Sequence, residues 1–213
     1  MSDKSPLVLL VNGSPHPHGC TAVALEEVAL TLEKEGLRTR MMHIGQKDIR
    51  GCVACGQCGS LGHCVFDDAV REASAILEEA AGMVVGSPVY YGSPNATLLA
   101  FLDRLFYSKS FDTTMKVGAS VVSCRRSGNT ASFDVLNKYF TISGMPLVSS
   151  RYWNNIHGFT AEDARKDLEG LQTMRILGRN MAFLIRSIEL GRSQFGLPEA
   201  EKEKYFTSFP DGL

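Results

Sequence analysis

The sequence predicts an α/β protein built on one doubly wound, five-stranded parallel sheet with helices on both faces, and three observations lead there. Short apolar runs, too short for helices, recur between glycine, proline and polar residues, as in Leu7–Val11, Gly82–Pro88 and Lys116–Cys124. Most are followed by a turn-rich loop and then by a segment with apolar residues at helical spacing. Parallel strands need crossovers, and strands alternating with helices supply them.

In chain order, Leu7–Val11 reads as a strand buried on both faces. A loop from Asn12 to Cys20 leads into a helix in which Leu25, Val28, Ala29 and Leu32 share one side and Gly36 supplies the stop. Leu37–Ile44 is a strand whose Arg38 and Arg40 fit a sheet edge. A glycine- and cysteine-rich loop, about residues 51–66, precedes a helix opened by Asp67 and Asp68, with Val70, Ala73 and Leu77 on one face. Gly82–Pro88 is the third strand, and Pro94–Ser108 its helix, with Pro94 in the first turn. Lys116–Cys124 is the fourth strand, followed by a polar loop and a helix to about Ile142; the run from Met145 to Ser150 supplies the fifth strand. A C-terminal helical extension, about residues 160–192, opens on a capping box of Thr160 and Asp163 and carries Ala164, Leu168, Leu171, Leu184 and Ile188 as its apolar stripe. It covers the sheet or also meets another copy.

At 213 residues the chain is long enough for one sizeable core, so 1–213 is expected to form a single domain. Its 22 basic and 23 acidic residues leave a formal charge of −1, and no basic run or acidic tail points to nucleic acid or a membrane surface. The apolar stretch at the N-terminus ends at Asn12, too soon for a signal peptide or a membrane span, so a cytoplasmic protein is expected. Six cysteines in a reducing compartment read as ligands or thiols rather than disulfides.

In doubly wound sheets, ligands sit beyond the carboxyl ends of the strands, so the loops at Ser14, Pro88 and Cys124 should converge. The first loop meets a helix N-terminus, whose unpaired N–H groups and dipole favour an anion. Ser14 and Thr21 add hydroxyls, and His16 and His18 can help to neutralise charge. Cys20 stands where a nucleoside-triphosphate loop needs lysine, and Ser14-Pro15 after Gly13 breaks the dinucleotide fingerprint. The residues six positions after each cysteine (Glu26, Cys58, Leu61, Cys64, Val70, Thr130) include no arginine, which excludes a C-x5-R phosphatase, and Asn12 replaces the acids of a receiver domain. What survives is a loop for a terminal monophosphate, of which FMN is the common example, or else an ordinary strand-to-helix turn.

Cys52, Cys55, Cys58 and Cys64 form C-x2-C-x2-C-x5-C among four glycines, close to the bacterial ferredoxin run but with a longer last gap and Val65 in place of proline. They read as ligands of a [4Fe–4S] cluster, as metal-free thiols, or as a zinc or redox site. The cysteine loop follows the second strand, next to the first, and is expected near the flavin side of the sheet. Cys20 and Cys124 are lone loop cysteines without an assignable catalytic partner, so no catalytic residue is named.

With these motifs the chain resembles the flavodoxin-like NAD(P)H-dependent FMN reductases, and among them the iron–sulfur flavoproteins. The resemblance spans about residues 6–190 and rests on NGSPHPHGCTA, CVACGQCGSLGHCVFDD, GSPVYYGSPNATLLAFLDR and the loop after Val122. It implies a strand order of 2-1-3-4-5. It also implies FMN phosphate at Ser14, His16, Cys20, Thr21 and Ala22, and the flavin ring along Pro88, Val89, Tyr90, Tyr91, Gly92 and Ser93, bordered by Ser123, Cys124, Arg125 and Gly128. The family often has arginine near His16 and asparagine at Cys20. The activity implied is hydride transfer from NAD(P)H as co-substrate to FMN, then reduction of a quinone, nitro compound, flavin or similar small-molecule acceptor. The alternative is an electron carrier passing electrons between a ferredoxin-type protein, a [4Fe–4S] cluster and FMN. Ser149–Glu162, with the only tryptophan and two other aromatics, is the expected interface of a homodimer or homotetramer, or a cap over the chain's own sheet.

Overall fold

The computed structural model of the chain describes residues 5–199 together with Glu201, Glu203, Tyr205 and Thr207; the ends of the expected 1–213 domain lie outside these. Five strands, β1 (Leu7–Asn12), β2 (Arg38–His43), β3 (Gly82–Tyr90), β5 (Val117–Cys124) and β6 (Asn155–His157), run parallel in the order β2-β1-β3-β5-β6. β4 (Ser93–Pro94) folds back on β3 as a short antiparallel hairpin. Counted along the sheet alone, this is the predicted order 2-1-3-4-5.

The period-two geometry of β1 divides the core. Val8 and Leu10 face a cluster with α1 (Cys20–Lys34), α6 (Ala161–Lys166) and α7 (Leu168–Phe195). Leu9 and Val11 face the opposite cluster with α3 (Ala69–Glu79), α4 (Ala96–Ser108) and α5 (Asn129–Ile142). All four are fully buried, which is why the strand reads as a continuous apolar run rather than an alternating one. A short helix, α2 (Cys58–Leu61), lies within the cysteine loop.

Three elements differ from the sequence expectation. The fifth strand is Asn155–His157, not Met145–Ser150. Leu147 makes only an isolated bridge to Gly118, whereas Asn155 pairs with Val122, so four extra residues are looped out where the chain would otherwise continue beside β5. That excursion carries Tyr152 and Trp153 into solvent. Pro94 pairs with Val89 in β4, and α4 is instead capped by Asn95, whose side chain accepts from Thr97 and Leu98 N–H at 2.8 and 3.3 Å. The capping box at Thr160 and Asp163 is present, but the extension breaks at Asp167, which caps α7 anew. Of the expected stripe, Ala164 is buried and Leu171, Leu184 and Ile188 pack against the core, where Met174, Leu177, Met181, Ala182 and Ile185 join them; Leu168, the first residue after the break, is exposed.

Candidate functional site

At the carboxyl end of β1, buried Asn12 shapes the loop from inside. Its Oδ1 accepts from Ser14 N–H at 2.9 Å and its Nδ2 donates to the Pro17 carbonyl at 3.4 Å. Ser14 Oγ accepts from His16 N–H at 3.1 Å, which leaves its own proton to donate into the cleft. The Ser14 carbonyl lies 2.7 Å from His43 Nε2, and since a carbonyl only accepts, that nitrogen carries the proton. Gly45 lies so close behind the loop that a Cβ there would stand 1.9 Å from the same carbonyl. The loop delivers the chain to Gly19, the N-cap of α1, where no side chain caps the helix and no acidic residue occupies its first turn. The leading N–H groups and the positive end of the dipole therefore face the cleft without an internal anion.

β3 contributes the second wall. Buried Ser87 accepts from Asn95 N–H at 2.8 Å and donates to the Pro88 carbonyl at 2.9 Å, which ties the strand end to the start of α4. Tyr90 and Ser93 pair across a two-residue turn in which Tyr91 and Gly92 have φ of 51° and 72°, the positive pair of a type I′ hairpin. Gly128, the N-cap of α5 at φ 84°, lets the turn approach so closely that a Cβ there would lie 2.8 Å from Gly92 Cα and from Val89 Cγ1.

The third wall comes from β5 and β6. Thr21 and Ser123, both buried, share a hydrogen bond of 2.7 Å that pins α1 to the end of β5. The Cys20 thiol donates to the Thr160 carbonyl at 3.1 Å; burial pushes its pKa up, and the Asp163 and Glu162 carboxylates add to that. Burial likewise pushes the Cys124 thiol up. Both are thus protonated fillers of the cleft wall, not thiolate nucleophiles. The result is an open cleft of about 750 Å³ whose lining runs from Ser14 to Thr21, across Pro88–Tyr90 and Ser123–Arg125, to Gly158–Glu162. Arg125, His16, His18 and Glu162 are the ionisable side chains, besides Tyr90 and the thiols of Cys20 and Cys124, that line it.

A separate cavity lies on the α3 and α4 side. Cys52, Cys55, Cys58 and Cys64 all line it, against Phe66, Arg104 and Tyr107. None of the cysteines is in a disulfide. Ala54, Gly56 and Gly62 have positive φ, which folds the loop around this space. The metal-ligating side chains among its described lining residues are four thiols with no histidine or carboxylate, the donor set that an iron–sulfur cluster takes.

Residues 6–160 match the family described as NADPH-dependent FMN reductase. The chain belongs to that family. Within it, an iron–sulfur flavoprotein from Methanocaldococcus jannaschii is 30% identical over 190 residues, covering 85% of this chain and 98% of that protein. Another from Methanosarcina thermophila is 30% identical over 189 residues, 86% and 97% of the two chains. These relatives place the chain in the iron–sulfur flavoprotein branch. The solved structure of a WrbA-like flavodoxin from Agrobacterium tumefaciens shares the fold at a TM-score of 0.61 and 19% identity, over 86% of this chain and 99% of that one. Family membership makes the protein an FMN-dependent oxidoreductase.

Of the residues expected around FMN in this reductase, the structure brings Ser14, His16, Cys20, Thr21, Pro88, Val89, Tyr90, Ser123, Cys124 and Arg125 into one cleft. Ala22 is buried in α1, Gly92 and Ser93 belong to the hairpin and Gly128 packs against it, and none of the four lines the cleft. Tyr91, at 108% relative exposure, stands out in solvent at the turn tip. Sequence reasoning missed the wall from Gly158 to Glu162, because the strand leading to it, only three residues long, has no apolar run of its own. It also missed Arg104, because nothing in the spacing of the Pro94–Ser108 helix marks that arginine as buried. The cysteine cavity shares no lining residue with this cleft. Arg104 and Tyr107 lie about 12 and 16 Å along α4 from Ala96, the end that Ser87 ties to the cleft, so the cysteine loop is not beside the cleft within one chain. No helix among the described residues is long and apolar enough to cross a membrane.

Proposed function

We propose that this FMN reductase is an iron–sulfur flavoprotein that exchanges electrons with a ferredoxin-type carrier, using FMN in the cleft and a [4Fe–4S] cluster on Cys52, Cys55, Cys58 and Cys64. The observation that carries the reading is the convergence of all four cysteines on one cavity apart from the flavin cleft. When bound, FMN supplies both hydride acceptance and one-electron chemistry, and the cluster supplies one-electron chemistry alone.

The chain's residues divide the work. The N–H groups of α1, with Ser14 Oγ, hold the phosphate, and His16 and Arg125 offset its charge. Thr21, whose hydroxyl shares a hydrogen bond with Ser123, fixes the helix start. Pro88 to Tyr90 and Ser123 to Arg125 flank the ring, with Gly128 holding the hairpin in place. Protonated Cys20 and Cys124 fill the wall without offering a competing thiolate.

A second reading, NAD(P)H-dependent reduction of a small acceptor such as a quinone, nitro compound or free flavin, is favoured by the openness of the cleft between half-exposed Tyr90 and exposed Phe159. Exposed Trp153 and Tyr152 on the looped-out segment support a homodimer or homotetramer. Anaerobic stopped-flow reduction of the bound flavin tests the two readings. Faster bleaching by a reduced ferredoxin than by NADH or NADPH is expected; bleaching by a nicotinamide alone would give the second reading precedence.

A further inference from the structure

Arg104 is the largest of the fully buried side chains among the described residues, at 1% relative exposure. A buried guanidinium demands partners for all five of its N–H groups, and this one has them. Nη1 and Nη2 grip the Asp68 carboxylate at 2.6 and 3.1 Å, and Nη1 also donates to the Arg50 carbonyl at 3.3 Å. The other two donors, Nε and Nη2, both point at Cys64 Sγ, at 3.3 and 3.2 Å. The Phe66 ring lies 5.0 Å from the guanidinium carbon. Asp68 in turn caps α3 through Val70 N–H at 3.0 Å. One side chain therefore ties both ends of the cysteine loop to two helices.

An anchor alone would need only Asp68 and the Arg50 carbonyl. Directing two charge-bearing donors at one sulfur does something more, because that sulfur is one of the four cysteine ligands. Cys64 is also the ligand set apart by the five-residue gap, and it is held from α4, whereas Cys52 and Cys55 are exposed. Hydrogen bonds to ligand sulfurs favour the more negative, reduced form of an iron–sulfur site and so raise its potential.

We propose that Arg104 is a positioning residue for the iron–sulfur site: it fixes Cys64 Sγ before metal arrives and, through its two N–H···S hydrogen bonds, raises the reduction potential of the cluster held there. This rests on the cluster reading above. The test compares wild type, R104K and R104Q, each reconstituted anaerobically with iron and sulfide. Iron per chain is measured first, then the cluster potential by electron paramagnetic resonance during a redox titration, with the FMN couple as internal reference.

Lysine keeps the charge but lacks the planar fork, so its shift isolates the hydrogen bonds. R104Q is expected to show a roughly tenfold lower ratio of reduced to oxidised cluster at a fixed solution potential, about 59 mV for one electron. R104K should lie between it and wild type, with FMN binding unchanged in both. If R104Q does not fold or takes up no iron, the R104K shift decides. R104K at the wild-type potential overturns the proposal while leaving the cluster reading intact; a wild type that takes up no iron overturns both.

Discussion

Replacing Gly45 with alanine should cripple the phosphate loop from behind. The new Cβ would sit 1.9 Å from the Ser14 carbonyl oxygen, 2.2 Å from its carbon and 2.7 Å from Pro15 N, all backbone atoms that cannot rotate away. Ordinary contact begins at 3.4 Å, so the loop or the β2 exit must retreat by about 1.5 Å. Overpacking of this kind costs about 1 to 3 kcal/mol, and losing the His43 to Ser14 hydrogen bond adds about 1 kcal/mol. Stability should therefore fall by about 2 to 4 kcal/mol, read from the urea midpoint. A displaced loop also misaims the N–H groups of α1 and Ser14 Oγ. Each hydrogen bond to a charged group is worth about 1.5 to 3 kcal/mol, so FMN affinity should fall at least tenfold in a fluorescence titration. Gly191→Ala is the control: nothing lies within 4 Å of its Cβ position in α7, and stability should rise by about 0.5 to 1 kcal/mol. A folded Gly45→Ala protein with unchanged FMN affinity would refute the assignment of this loop to the phosphate.

Thr21→Val keeps the volume but leaves buried Ser123 Oγ without its 2.7 Å partner, which should cost about 1 to 3 kcal/mol in urea unfolding. Unchanged stability would show that the pair does not pin α1 to β5. Burial raises the folded-state pKa of Cys124, and of Cys20, above the ordinary thiol value of 9.0. The unfolded chain then loses those protons first, so the stabilisation is fully present below about pH 9 and is lost as pH rises through the folded values. The urea midpoint should decline above that pH, and less steeply in a Cys20→Ala/Cys124→Ala protein; parallel profiles would contradict the assignment. Sedimentation at micromolar concentration should show a homodimer or larger assembly that Trp153→Ala weakens, and a monomeric wild type would remove the proposed role of the looped-out segment.

The sheet was legible because its central strands are buried on both faces and announce themselves as apolar runs. β6 was not, because three residues at the end of an irregular excursion carry no periodicity, and the apolar Met145–Val148 stretch beside β5 drew the assignment instead. The missed cleft wall at Gly158–Glu162 follows from that one error, since loops after parallel strands form the site. The C-terminal stripe was legible from its helical spacing except at Leu168, which follows the break at Asp167 and is exposed. Motif spacing singled out the four cysteines, but spacing cannot show that they surround a common cavity or that it stands apart from the cleft at the strand ends. Arg104 was hidden because an arginine on an amphipathic helix ordinarily faces water, and only the fold supplies Asp68 and Cys64 as its partners.

Iron, acid-labile sulfide and flavin counted together on anaerobically reconstituted protein test the central claim, that this FMN reductase carries an iron–sulfur cluster on its cysteine loop. About four irons, four sulfides and one FMN per chain are expected, with Cys58→Ala losing the iron and keeping the flavin. Protein that binds FMN yet holds no iron after reconstitution would contradict it.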